Sequence, residues 1–206
     1  MDNGSGNLLY TAAAAWKELT EYYYVFTYGY KKHLYPIKLT FSPERFPHLA
    51  GFQYLKDVEL PRFNQAKILD KILDGTIQYT QVEKGGQFES TVKPRLEALI
   101  RLKQTIEGEF TLFSFVPQYY SFMTRIQADY FISSASVNVP VDFIFIIKAD
   151  SQCEAVVCDF VCCSAFTKTE RDYRENQRPR AVLKKERVHI STNTSTILLN
   201  RLEERT

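Results

Sequence analysis

A chain of 206 residues is long enough for one domain with a sizeable core, burying about 70% of its unfolded surface. With 45% hydrophobic and 24% charged residues, and only eight Gly and eight Pro, it is neither a disordered nor a fibrous chain. A net charge of +2 makes the overall field too weak to name a partner, so arguments about anionic ligands must rest on local charge.

In chain order, Met1 to Gly6 is polar and lacks the basic start of a signal peptide. Asn7 to Lys32 reads as a helix, with a break near Gly29; Ala12–Ala15 favour it, while Tyr22–Tyr24 could instead begin a strand. Tyr35–Phe41 alternates apolar and polar residues as a strand does. Ser42 followed by Pro43 predicts an N-cap and a short helix to about Tyr54, with Gly51 as a weak point. A second helix is expected over Arg62–Leu73, stopping at Asp74-Gly75. Gly85-Gly86 is a turn, and Val92–Glu107 carries a helical apolar stripe that ends at Gly108.

Beyond Gly108 the chain becomes rich in β-branched and aromatic residues. Phe110–Val116, Ser121–Ser133, Val139–Lys148 and Glu154–Ser164 read as consecutive strands, which implies an antiparallel meander. Thr167–Lys185 is charged and reads as helix, and Val188–Thr192 and Ser195–Leu199 as a last strand or tail. The expected class is α+β: N-terminal helices packed on a four- to five-stranded antiparallel sheet. The expected organisation is a single domain over 1–206, with a helical extension to residue 35, a core over 36–190 and a tail over 191–206. The longest apolar runs, Val139–Ile147 and Ala155–Val161, are far short of the ~20 residues that span a bilayer, so a cytoplasmic, membrane-free protein is expected.

Four cysteines, Cys153, Cys158, Cys162 and Cys163, lie close together. Their spacing does not suit zinc, and no histidine is nearby. They read as free thiols in a buried strand, with a disulfide as the alternative. The chain carries no metal motif, Walker loop, dinucleotide fingerprint or nucleophile elbow, so no cofactor is expected.

Two features could carry chemistry. His48 lies in the first turns of the Pro43 helix, where an imidazole either moves a proton beside a bound phosphate or merely caps and packs. The segment Lys168–Arg187 sets eight basic against four acidic side chains, a local +4, with Tyr173, Asn176 and Gln177 interspersed. It is either a holder of a nucleic-acid backbone or a solvated mixed-charge face.

The run Leu39–Phe52, followed by Leu55-Lys56-Asp57-Val58, is the most specific signature. Arg95–Leu99, Arg125–Tyr130, Ser164–Phe166 and Asp172–Gln177 come after it in order. In these residues the chain resembles the phage and mobile-element branch of the barnase–EndoU–colicin–RelE (BECR) nuclease-like superfamily, over roughly residues 30 to 190. The resemblance implies a sheet with a site on its concave face and metal-independent RNA cleavage, as in a toxin-like effector. There the 2′-hydroxyl attacks the adjacent phosphate and leaves a 2′,3′-cyclic product. It further implies catalytic roles for His48 (proton transfer), Arg125 (phosphate, from an inner strand) and Tyr173. Ser164, Gln177, Arg180 and Lys184 would bind substrate, with RNA and a host or inhibitor protein as partners. A catalytically silent module that binds RNA or a host protein, and an unrelated interaction domain, are the alternatives.

Overall fold

The computed structural model describes residues 7–60, 64–134 and 140–202. The expected helix start at Arg62 and strand start at Val139 lie outside them, as does Met1–Gly6.

Helix α1 spans Leu8–Leu19 and starts where the Asn7 side chain accepts the Tyr10 N–H at 2.9 Å. It buries Leu9, Ala12, Ala13 and Trp16, and the Trp16 indole donates to the Ser42 carbonyl. The helix does not run on to Lys32. The tyrosine run after it prefers a pleated, half-buried surface, and it forms strand β1, Tyr22–Tyr30. Strand β2, His33–Thr40, returns antiparallel after a two-residue turn. Ser42 makes no side-chain cap, and the expected helix is only a 3-10 turn, Pro43–Arg45, and a short α2, Phe46–Leu49. It is cut at Gly51, whose φ of 88° no helix accepts.

Helices α3 (Gln65–Leu73), α4 (Tyr79–Val82) and α5 (Lys93–Glu107) follow. A π-turn over Phe88–Val92 leads into α5. Next come β3 (Phe110–Ser114), β4 (Tyr130–Ser134), β5 (Asp142–Lys148), β6 (Cys158–Thr167), β7 (Arg178–His189) and β8 (Ser195–Asn200).

Strands β3 to β6 pair in succession as an antiparallel meander. Two long-range pairings then change the architecture. Strand β2 joins β6 in parallel, and β7 bonds to β1 and to β3. The result is a closed seven-stranded mixed barrel with β8 added on β7, not helices on an open four- to five-stranded antiparallel sheet. Closure is possible because 22–30, expected to be mostly helical, and 178–189, expected to be helical as far as Lys185, are strands.

Side chains from all seven barrel strands merge with α1 and α5 into the main core, including Phe26, Ile37, Leu112, Ile132, Ile144, Phe160 and Val182. Alternate residues of β3–β5 face the other way, where Phe113, Phe131, Phe143 and Phe145 build a second, aromatic core around Tyr173. The segments 115–128 and 168–177 cover this face. Tyr173 meets Phe145, Phe143 and Phe166 edge-on at centroid distances of 5.1, 5.6 and 5.6 Å.

Cys153 and Cys158 form a disulfide, so the free-thiol expectation fails for this pair. Cys162 and Cys163 remain thiols, and burial pushes the Cys163 pKa up to about 12, which leaves it unreactive. Among the described residues, no helix is long and apolar enough to cross a membrane.

Candidate functional site

Helix α5 brings a cation to the edge of the aromatic core. Its buried stripe, Leu96, Leu99, Leu102 and Ile106, is flanked in the first turn by Arg95, which is only partly exposed. The helix is fixed at its middle and at its C-terminal end. Arg101 makes a bidentate contact to Asp142 (2.8 and 2.7 Å) and reaches Thr167 at 2.7 Å, while Asp142 is only 1% exposed. At the C-terminal end, the Lys185 ammonium donates to the carbonyls of Ile106, Glu107 and Gly108.

Arg95 is half-buried, and among the described residues it has no carboxylate within ion-pair reach. Its guanidinium lies over the Tyr54 ring at 5.4 Å and the Phe166 ring at 5.7 Å, and donates a long bond to the Ser164 hydroxyl at 3.4 Å. Burial pulls its pKa below the usual arginine value, partly offset by Tyr54. It remains a cation at any physiological pH.

Two local features make room for it. The β5–β6 pairing shifts between Phe145 and Ile146, and after that shift Ser164 and Phe166 stand beside the guanidinium. Gly51 supplies the other: a Cβ there would meet Arg95 Cδ at 3.0 Å and Tyr54 and Val92 at 3.5 Å. The most specific stretch of the sequence thus contributes a left-handed turn that seats an arginine from a distant helix.

In front of Arg95 opens a cleft of about 540 Å³. Its walls are Ser90, Thr91 and Pro94 before and within α5, Met123–Ile126 from one covering segment, Phe166 and Thr167 from β6, and Thr169, Arg171 and Tyr173 from the other. Every ionisable group lining it is an arginine or a tyrosine. Arg171 stacks over Phe122 at 5.0 Å and donates to the Met123 carbonyl at 3.2 Å. The wall segment 168–177 is clamped twice. Asp172 takes both Lys168 (2.7 Å) and Arg174 (2.6 Å). Gln177 bonds the Val116 N–H at 2.8 Å and its carbonyl at 3.1 Å.

Of the residues expected from sequence, Arg125 and Tyr173 meet in this cleft, and Ser164 holds Arg95 at its back. Arg125 sits on an irregular segment, not on a strand. His48 is exposed on α2 and is not among the cleft residues. Gln177 is buried as the clamp described above. Arg180 lies on β7, bonded to Ser114 at 2.8 Å, and Lys184 pairs with Glu186 at 3.0 Å. Sequence reasoning missed Arg95, Arg171 and Tyr54 as site residues. Arg95 had a readable signal, a cation on the apolar stripe of a helix with no acid three or four residues away. Arg171 stands out only as one of the eight basic side chains of Lys168–Arg187, its individual signal diluted by Glu170 and Asp172 on either side.

Among the described residues, three guanidinium groups and several hydroxyls surround one hollow with no carboxylate in its lining, an arrangement chemically suited to an anion of phosphate type. The family relation agrees with this class. Residues 8–202 match the family model described as phage-Barnase-EndoU-ColicinE5/D-RelE like nuclease4, and the chain belongs to this family of phage BECR-like nucleases. Neither the curated proteins nor the solved structures contain a match.

Proposed function

We propose that the chain is a metal-independent endoribonuclease whose cleft holds the scissile phosphate. The observation that carries this reading is Arg95, a half-buried cation without a counter-charge among the described residues, opening on the hollow that Arg125 and Arg171 share. Its desolvation is unfavourable until an anion arrives, so the site is prepared for one.

In this reading the 2′-hydroxyl attacks phosphorus and the 5′-oxygen leaves, giving a 2′,3′-cyclic phosphate and a 5′-hydroxyl. The three arginines bear the charge that develops on the phosphorane oxygens. The 2′-hydroxyl proton passes to solvent. The Tyr173 phenol, held in its aromatic cage, is the hydroxyl available to protonate the leaving oxygen. Ser164 positions Arg95, and Gln177 positions the wall that carries Arg171 and Tyr173. A cytoplasmic site of action, where RNA is met, belongs to the same proposal.

The test is incubation of the purified protein with RNA in EDTA, followed by analysis of the product ends. Cyclic phosphate with 5′-hydroxyl ends, lost in Arg95→Met and retained in His48→Ala, is the expected result. Loss of cleavage in His48→Ala would restore the imidazole as the proton carrier.

A second reading has one observation in its favour. No arginine or tyrosine readily removes a proton from a ribose hydroxyl at neutral pH, so the cleft also suits a silent module that holds RNA or a host protein. Binding with steep salt dependence and intact RNA would select it.

A further inference from the structure

We propose that the tip of the β1–β2 hairpin, together with Arg180 of β7, is a second RNA-contacting surface. There Tyr30 and Tyr35 stack unpaired bases, and Lys31 and Lys32 hold the adjoining phosphates. This rests on RNA as the substrate class and assigns it a single-stranded form. None of these residues lines the cleft.

The first observation is backbone strain. Tyr30 pairs with His33, so Lys31 and Lys32 alone form the turn, with φ of 48° and 66°. Positive φ at both central positions is the type I′ geometry, the one that favours Asn-Gly. An L side chain there crowds its own carbonyl, and lysine lacks the local hydrogen bonds that make the region tolerable for asparagine. Strained residues of this kind persist where the surroundings over-determine them, and they cluster at functional sites. Here the strain places two ammonium groups at one tip.

The second observation is a preorganised aromatic face. Tyr35 stacks on Tyr28 with centroids 5.2 Å apart and planes 16° from parallel. Tyr28 is itself fixed by a 2.8 Å hydroxyl contact to Tyr130. Arg180 lies 4.3 Å over Tyr30 and is held by its bond to Ser114. Tyr30 and Tyr35 nevertheless remain 37% and 39% exposed.

The third observation is charge. No Asp or Glu occurs between Glu21 and Glu44 in the sequence. Among the described residues, Lys31, Lys32 and Arg180 form no ion pair with a carboxylate, whereas Lys38 in the same hairpin pairs with Asp159. Cations beside partly exposed aromatic rings recognise a single strand, because stacking needs bases that are not paired with each other.

The test uses the double variant Lys31→Asn/Lys32→Gly, which suits the turn better than the native pair. Its melting temperature is expected to rise by roughly 4 °C, while its affinity for RNA falls. Binding is read by fluorescence anisotropy with a short single-stranded 2′-O-methyl RNA, which cannot undergo 2′-hydroxyl attack. The slope of log affinity against log salt should become shallower by about 1.4, the contribution of two phosphates on a single strand. Tyr30→Ala should weaken binding about five-fold or more. An unchanged slope and affinity in both variants overturns the proposal, as does equal affinity of the native protein for a duplex of the same length. Because the probe is uncleavable, native protein that binds through these residues but cleaves no RNA sinks the cleavage reading alone.

Discussion

Replacing Arg95 by methionine separates binding function from stability, and the structure fixes the expected sizes. Methionine keeps an unbranched stem beside Gly51 and removes the charged head that lies over Tyr54 and Phe166. What the fold loses is small. The Ser164 bond, at 3.4 Å, is long, and each ring contact is worth about 0.5–1 kcal/mol at a partly exposed site. What it gains is relief from holding a desolvated guanidinium without a carboxylate, an effect of the same order or larger. The melting temperature should therefore change by no more than about 4 °C in either direction. Cleavage should fall by about a hundred-fold or more, because a donor aimed at developing phosphorane charge is gone. Inorganic phosphate should raise the melting temperature of the native protein and leave that of the variant unmoved. The assays are a thermal melt with and without phosphate and a single-turnover cleavage assay in EDTA. A large drop in melting temperature, or undiminished turnover, refutes the idea that Arg95 is held for an anion and not for the fold.

Three further outcomes follow from the same geometry. Gly51→Ala should destabilise by about 1–2 kcal/mol through its left-handed φ. It should also push Arg95 out of place, so urea denaturation should show the first effect and loss of phosphate-dependent stabilisation the second. Asp142→Asn leaves Arg101 half-buried without its bidentate partner and should cost about 3–5 kcal/mol in the urea midpoint analysis; a loss under 1 kcal/mol, to order of magnitude, contradicts the anchoring role. Arg174 first, and then Lys168, hold the Asp172 carboxyl well below its usual value. Its contribution is therefore complete above the unfolded carboxyl value of about 3.9 and disappears as pH falls through the lower folded value. The near-UV signal of the Tyr173 cluster should stay flat down to about pH 4; a transition near neutral pH would show that another group holds the wall.

The elements whose pattern is local were legible. Helix α5 and strands β2, β3 and β5 lie close to where periodicity put them, because each has one buried stripe or face. Strand β7 was not legible. It is flanked on both edges, yet its buried positions are Val182, Lys185 and Val188, and a lysine whose stem is covered while its head caps a helix reads as a surface charge. Strand β1 was hidden by the alanine run before it, which extended the helical reading across the tyrosines. Missing both strands meant missing the barrel, since closure depends on their pairing across more than half the chain. The cleft was half legible. Arg125 and Tyr173 were reached through the runs that carry the family resemblance, whereas Arg95, in the run Arg95–Leu99, was read only as part of a helix.

The order of synthesis gives strand β7 a meaning beyond architecture. The wall segment 168–177 and the strand that joins β1 to β3 both follow the other six barrel strands in the sequence, so a polypeptide that has not yet reached them has an open barrel and half a cleft. Domains fold as they are completed. On the proposed function, a chain that has not yet added β7 lacks both the closed barrel and the complete arginine cleft, so folding of this strand is the step that would switch the site on.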